Sequence, residues 1–426
     1  MLRVPIAYAK PGMVLALPVF HPRRADTVLL SDGMQLEARS IARLAEIELK
    51  ELWIRYPGVE FVREYICPAV FGAQAGLTRR IAEAFEGVSH AAPAKLEYTA
   101  YRIAISSLMD RLIANPRAAV FAQELVSRDD AALAHASAVS FLAVLMGLKL
   151  EDYLITERAR LSSHVARDVT SLGVGAMFHD IGMLRLTPEV VQHWNRTLDD
   201  SYEPWRAHVQ IGYELVKEAI GPSAAAGVLH HHQKFDGTGF PARQRYDSGI
   251  TTVEQLSGSD IHVFARIISV GDLFDRLRHP PGAPAGSAPT PVVRVLKMRQ
   301  EAPYASWIDP MVFRALLAVV PAYLPGTMVT LSNGMNAVVT DWFPDDPCRP
   351  TVQTIGDPRE DFDKDSRKSE RFVLRQQTEI SIAKAEGVDV SADNFYPSAP
   401  GQYDLKLAGK ALFNAAVDSP PDIKAA

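Results

Sequence analysis

The chain has 426 residues, 47% hydrophobic and 22% charged, too many for one ordinary domain, and so points to two or three. Its net charge of −5 excludes a general nucleic-acid binder, which needs a basic face to neutralise phosphates, but not a small anion held through a metal. Two cysteines, Cys67 and Cys348, are too few for a thiolate zinc centre and fit a reducing, cytoplasmic compartment.

The opening Met1–Phe20 is broken by Pro5, Lys10, Pro11 and Gly12, unlike the apolar core of a signal peptide. No uninterrupted apolar stretch of about 18 residues follows, so no membrane span is expected. Residues 1–65 read as a small α+β module. In it, Gly12–Phe20 and Thr27–Leu30 read as short strands, Leu36–Leu52 has helical spacing, and Glu51–Tyr56 reads as a strand. Across 66–127, Ile81, Phe85, Ile103, Ile105, Leu108, Leu112 and Ile113 recur at helical intervals. This helical connector reads as core packing in preference to a partner-binding face.

From 128 to 322 the pattern is helical, broken by polar loops, of which Pro280–Pro289 can be neither helix nor central strand. Residues 323–426 change to alternation. Met328–Leu331 and Ala337–Thr340 flank Ser332-Asn333-Gly334, a β-hairpin signal. The end is loop-like from Asn394, with a short helix expected near Leu405–Asn414. The fold class is therefore mainly α, with a small N-terminal α+β module and a small C-terminal β module. Oligomeric state has no signature in the sequence.

Ten of the twelve histidines fall between His135 and His279, a third of the chain. His135 opens an apolar helix, and His179-Asp180 ends the apolar run Gly175–Phe178. His208 precedes Val209-Gln210-Ile211-Gly212, and His230-His231-His232 leads into Asp236-Gly237-Thr238-Gly239-Phe240-Pro241. A buried imidazole offers one neutral nitrogen to a divalent cation, and a carboxylate can bridge two cations. Asp180 can thus be shared by two metals, and Asp272 adds a second carboxylate from a buried helix. A His and Asp set without cysteine suits iron or manganese, with zinc a weaker fit. Such ions bring the pKa of a bound water to about 7, which makes hydroxide available for attack at phosphorus.

In this order and at these separations, His179-Asp180-Ile181-Gly182, the double histidine before Asp236–Pro241, and Ala265–Asp272 resemble the HD-GYP family of HD phosphohydrolases. The resemblance implies an HD-type helical bundle that hydrolyses cyclic di-GMP to the linear dinucleotide, and on to GMP, through a metal-bridging hydroxide. It implies one metal held by His135, His179, Asp180 and Asp272, and a second that shares Asp180 and adds His208, His231 and His232. His179 and Asp180 would be the catalytic pair. Spacing alone leaves His230-His231 and His231-His232 open; the resemblance selects the latter. Lys234, Asp236, Gly237 and Arg278 are the substrate-binding candidates. A diguanylate cyclase or other signalling protein is the macromolecular partner such a domain would meet, with no nucleic-acid polymer and no membrane.

Three features depart from the family pattern. Met183 stands where a lysine follows His-Asp-Ile-Gly, Phe240 replaces a tyrosine, and Arg276-Leu277-Arg278-His279 with the proline-rich loop replaces a Thr/Ser-rich, Arg-Pro-Tyr stretch. Ala131, where some members carry an acidic ligand, favours two metals over three. These departures leave two alternatives: a scaffold that binds cyclic di-GMP without cutting it, or an enzyme for another cyclic dinucleotide or nucleotide. His164 and His193 read as structural or surface residues, His262 as a surface residue, and Asp275 as a residue that supports the ligands or the helix.

Overall fold

The computed structural model describes residues 1–21, 24–47, 49, 51–56, 59–60, 65, 67–90, 96–117, 130–247, 250–284, 287–356, 369–399 and 402–403. The short helix expected near Leu405–Asn414 lies outside them, as does the connector beyond residue 117.

The N-terminal module is built from two small antiparallel pairs. Leu2–Pro5 pairs with Glu51–Ile54, in register Leu2↔Ile54, and Val19–His21 pairs with Arg24–Leu30. Helix α1 covers Ala38–Glu46, shorter than the spacing over Leu36–Leu52 suggests. The chain leaves the helix to run back along Leu2–Pro5, and pairing overrides the local period. Gly12–Phe20 is a strand only at its end; before Val19 it makes isolated bridges, Val14↔Gln35 and Leu15↔Ile54. Pro18 has no N–H to continue a ladder. The module shares its core with the C-terminal sheet, since Leu2, Val4, Leu15, Leu52 and Ile54 pack with Met328 and Val338.

That C-terminal sheet is antiparallel and six-stranded, in the order Arg371–Val373, Thr351–Thr354, Asn336–Asp341, Met328–Leu331, Ile382–Ala385, Val388–Asp389. The expected hairpin is there, with Val329 opposite Ala337 and Gly334 at φ +85° in its turn. A second hairpin, Arg243–Asp247 with Ile250–Glu254, interrupts the helices. Its sequence, RQRYD and ITTVE, has no apolar face, so no period marks it.

Between the two modules lies the bundle. Helices α2 (Pro68–His90) and α3 (Tyr98–Ala114) bury Leu77, Ile81, Val88, Ile105, Leu108 and Leu112 in the main core, as the core reading of the connector expects. Ile103 and Ile113, which the spacing groups with them, are 64% and 63% exposed. Helix α4 (Ala131–Lys149), capped by Asp130 through the Leu133 amide at 3.0 Å, is central. It packs on α5 (Thr170–Met177), α9 (Val263–Arg278) and α10 (Pro310–Val319), while α6 (Pro188–Thr197), α7 (Glu203–Val216) and α8 (Pro222–His230) follow α5 in the chain.

With 19 residues and a mean hydropathy of 1.9, α4 is long and apolar enough to cross a membrane, contrary to the sequence expectation that no such stretch exists. It is 72% buried inside the bundle and carries His135, Ser137 and Ser140, which break the apolar run when read residue by residue. These features make it a core helix of this fold. Helix α9 is tied to the start of α10 by Arg266, whose Nη1 donates to Asp309 Oδ2 at 2.7 Å, where Asp309 also caps α10. Tyr153 donates to the same oxygen at 2.6 Å, so the buried charges are paired and hydrogen-bonded.

Candidate metal centre

Three helices and the ends of two more converge on one spot. His135 comes from the first turn of α4, His179 and Asp180 from the turn after α5, His208 from the middle of α7, His231 and His232 from the end of α8, and Asp272 from α9. The turn at Ile181–Arg185 lies directly on α7. A Cβ on Gly182 would overlap the carbonyl oxygen of His208, so only glycine lets Asp180 and His208 approach this closely. Gly239 has the same role in the next loop, where a Cβ would overlap the Lys234 amide nitrogen.

The backbone sets the tautomers. His179 Nδ1 donates to the Ala176 carbonyl at 2.8 Å, His208 Nδ1 to Trp205 at 2.6 Å, and His231 Nδ1 to Val228 at 2.7 Å. A carbonyl oxygen only accepts, so each Nδ1 carries the proton and each Nε2 presents a bare lone pair. His135 differs, with Nδ1 against Asp275 Oδ2 at 2.8 Å and Nε2 against Asp272 Oδ1 at 3.1 Å.

Asp180 sits between two groups. Its Oδ1 lies 3.4 Å from both His208 Nε2 and His231 Nε2, while its Oδ2 lies 3.5 Å from His179 Nε2 and 3.6 Å from His135 Nε2. His232 Nε2 is 3.2 Å from His208 Nε2. The donor atoms thus fall into two sets that share one carboxylate: Asp180, His208, His231, His232 and His135, His179, Asp180, Asp272.

These residues fit divalent cations. His208 Nε2 and His231 Nε2 face each other at 3.4 Å with both protons committed elsewhere, so two lone pairs meet and repel unless a cation lies between them. Burial lowers His179 and His208 to about 4 and His232 well below its ordinary value, which keeps the imidazoles neutral at pH 7. Burial opposes the charge on Asp180, but the His179, His231 and His208 rings outweigh it and hold its carboxyl well below the usual range. Burial likewise opposes protonation of His135, and the Asp272 and Asp275 carboxylates override it, raising that ring to about 10.

Around the ligands stands an aromatic wall. Trp194 stacks on Trp205 at 4.6 Å, and Trp205 abuts His208 and His232 at 4.8 and 4.9 Å. Phe240 stacks on His232 at 4.8 Å, so the ring that replaces a tyrosine braces a ligand by its face and not through a hydroxyl. Met183 packs into this same apolar cluster.

Residues 132–277 match the HD domain family, and the chain is similar to several cyclic-dinucleotide phosphodiesterases. It is 26% identical to a cyclic di-GMP phosphodiesterase of Pseudomonas aeruginosa over 55% of this chain and 51% of that protein. It is 28% identical to the cyclic di-GMP phosphodiesterase response regulator RpfG of Xanthomonas campestris, over 29% of this chain and 30% of that one. It is 30% identical to a 3'3'-cGAMP-specific phosphodiesterase of Vibrio cholerae, over 23% of this chain and 17% of that one. The chain thus spans about half the length, or less, of these relatives. Fold and site define an HD domain, a helical bundle that binds divalent metal. The chain carries this HD domain and is similar to cyclic di-GMP phosphodiesterases, as its motifs led one to expect.

All seven ligands expected from the resemblance come together. His231 and His232 join the sets, while His230 points its buried Nδ1 where no partner reaches it. The other candidates divide. Lys234 lies 3.8 Å from Asp200 and 3.3 Å from the centre of the Trp307 ring. Asp236 holds its own loop, accepting from the Thr238 amide at 3.0 Å and Ser306 Oγ at 2.7 Å, and Gly237 supplies a φ of +84° there. Arg278 is buried, with Nη1 donating to the Thr290 carbonyl at 2.8 Å; Arg276 is the arginine that reaches Asp272. His164 is exposed and His193 packs on Tyr202 at 4.4 Å. His262 is a half-buried N-cap that accepts from the Phe264 amide at 3.1 Å, not a surface residue. The sequence reading missed Arg276, Trp194 and Trp205. For Arg276 a signal existed, since it lies one helical turn beyond Asp272.

Proposed function

We propose that this chain is a cyclic di-GMP phosphodiesterase that opens the ring to the linear dinucleotide and continues to GMP, with two divalent ions, iron or manganese, in the shared site. The observation that carries the reading is the division of Asp180, one carboxylate oxygen facing each set of imidazole nitrogens. His135, His179, Asp180 and Asp272 would hold one ion, and Asp180, His208, His231 and His232 the other. When bound, such ions supply Lewis acidity toward phosphoryl oxygens and a water nucleophile at neutral pH.

The chain's own part is positioning. Carbonyls of Ala176, Trp205 and Val228 lock three imidazoles with Nε2 inward, and Asp275 orients His135 from behind. His179 and Asp180 lie at the junction of the two sets and are the residues whose loss removes activity. The buried wall of Trp194, Trp205 and Phe240 limits water on one side. We assign the catalytic unit to residues 128–322 and the protein to the cytoplasm, where a nucleotide messenger and a diguanylate cyclase would meet it.

A second reading, hydrolysis of a mixed cyclic dinucleotide, has one supporting observation: the similarity to 3'3'-cGAMP-specific enzymes at 30% and 28% identity. Incubating manganese- or iron-loaded protein separately with cyclic di-GMP and 3'3'-cGAMP, and separating the products, tests both. Linear dinucleotide from cyclic di-GMP at the higher kcat/KM is expected. Binding of cyclic di-GMP without products from either substrate would replace the enzyme with a signalling scaffold.

A further inference from the structure

Asp272 and Arg276 lie one turn apart on the same face of α9, and Arg276 Nη2 donates to Asp272 Oδ2. The other oxygen, Oδ1, is the one turned toward His135 Nε2 at 3.1 Å. The arginine therefore holds the outer oxygen of the carboxylate while the inner one stays with the metal-facing set. Its side chain is 18% exposed and lies over Trp194, 5.8 Å from the ring centre. Its Nε–H is buried with no hydrogen-bond partner, and Nη1 makes no protein hydrogen bond among the described residues.

An ion pair with Asp272 alone leaves much of this guanidinium idle. Most buried N–H groups in proteins are paired, so one that is not needs a reason. Other cations nearby are engaged otherwise: Lys234 with Asp200 and the Trp307 ring, and Arg206 with the Asp200 carbonyl and the Phe240 ring. Met183 brings no charge to the apolar cluster that holds Trp194. Among the described arginines and lysines, Arg276 is the one in contact with a metal-ligating carboxylate.

Resting on the phosphodiesterase reading, we propose that Arg276 is an anion-binding residue of this site, offering its free N–H groups to a non-bridging oxygen of the substrate phosphodiester. A planar guanidinium suits that task because it can hold Asp272 through one nitrogen and a phosphate oxygen through another. The contact with Asp272 fixes where the phosphate lies relative to the ligands, since both are referred to the same turn of helix.

The test is inorganic phosphate titrated calorimetrically into manganese-loaded, desalted protein, with metal content measured on each sample. Arg276→Met is expected to weaken phosphate binding about 10- to 100-fold, the loss typical of one charge-assisted contact, with metal content unchanged. Arg276→Lys, which keeps the charge and the pairing to Asp272, is expected to recover part of the loss. Equal affinities for wild type and Arg276→Met, no phosphate binding by wild type, or loss of metal from Arg276→Met would each overturn the assignment. A wild type that binds phosphate through Arg276 yet never cuts a cyclic dinucleotide would sink the phosphodiesterase reading and leave the arginine's role standing.

Discussion

Replacing Asp180 with asparagine keeps the size of the side chain and removes one negative charge from both halves of the site. The Asp180 oxygens stand 3.4–3.6 Å from four imidazole nitrogens, so an ion bonded to both partners must lie nearer to the carboxylate than that. At an effective dielectric of about 20, a unit charge at about 4 Å from another is worth about 4 kcal/mol, about a thousandfold in affinity, and a divalent ion loses more. Each ion also loses a shield against the other's positive charge. Asp180→Asn should therefore hold at most one ion after dialysis, and turnover should vanish. The assay is metal analysis by plasma emission on dialysed protein, with His193→Ala as control. His193 lies in the same domain, packed on Tyr202 and away from the ligands, so its loss should leave the metal in place. Two tightly held ions in Asp180→Asn would refute the sharing argument.

Asp275→Asn should loosen His135 without removing a ligand, lowering metal affinity about 10- to 100-fold in a chelator competition. Met183→Lys should raise turnover about tenfold by placing a cation beside the phosphate, read as kcat on cyclic di-GMP; an unchanged rate would show that the charge at this position does not limit the enzyme. Acid should destabilise the metal-free protein. His179 and His208 fall to about 4 in the fold against an ordinary value of 6.5, so the unfolded chain binds more protons between those values. Each ring then contributes stability above pH 6.5 that is lost toward pH 4, about 2 kcal/mol of it by pH 5. His135 has the opposite sign: raised to about 10, its contribution is full below 6.5 and lost as pH rises through 10. Melting temperatures in chelator should drop between pH 7 and pH 5, and saturating manganese should raise the melting temperature at pH 7, where the rings are free of protons.

The ligand set was legible because histidine and aspartate are conspicuous inside apolar helices. His135 interrupts α4, and His179-Asp180 closes the apolar run at the end of α5. Order and separation then did what no single pair could. What surrounds the ligands was not legible, because it is made by backbone and by tertiary approach. The carbonyls that set the tautomers, those of Ala176, Trp205 and Val228, belong to any sequence at those positions. Trp194 and Trp205 sit on different helices and meet only when α6 folds on α7. Arg278 looked like the useful charge near the proline-rich loop, yet about half a helical turn separates facing the ligands from facing Thr290, and Arg276 has the inward phase with Asp272. In the N-terminal module, Leu2–Pro5 is too short to show a period, and its pairing with Glu51–Ile54 is a long-range event.

The most direct test of the account is the number of divalent ions per chain in wild-type protein saturated with manganese and then desalted. Two ions per chain, with cooperative loss on chelation, is the result expected from one carboxylate shared between two imidazole sets. A single ion at saturation, or none, would contradict it.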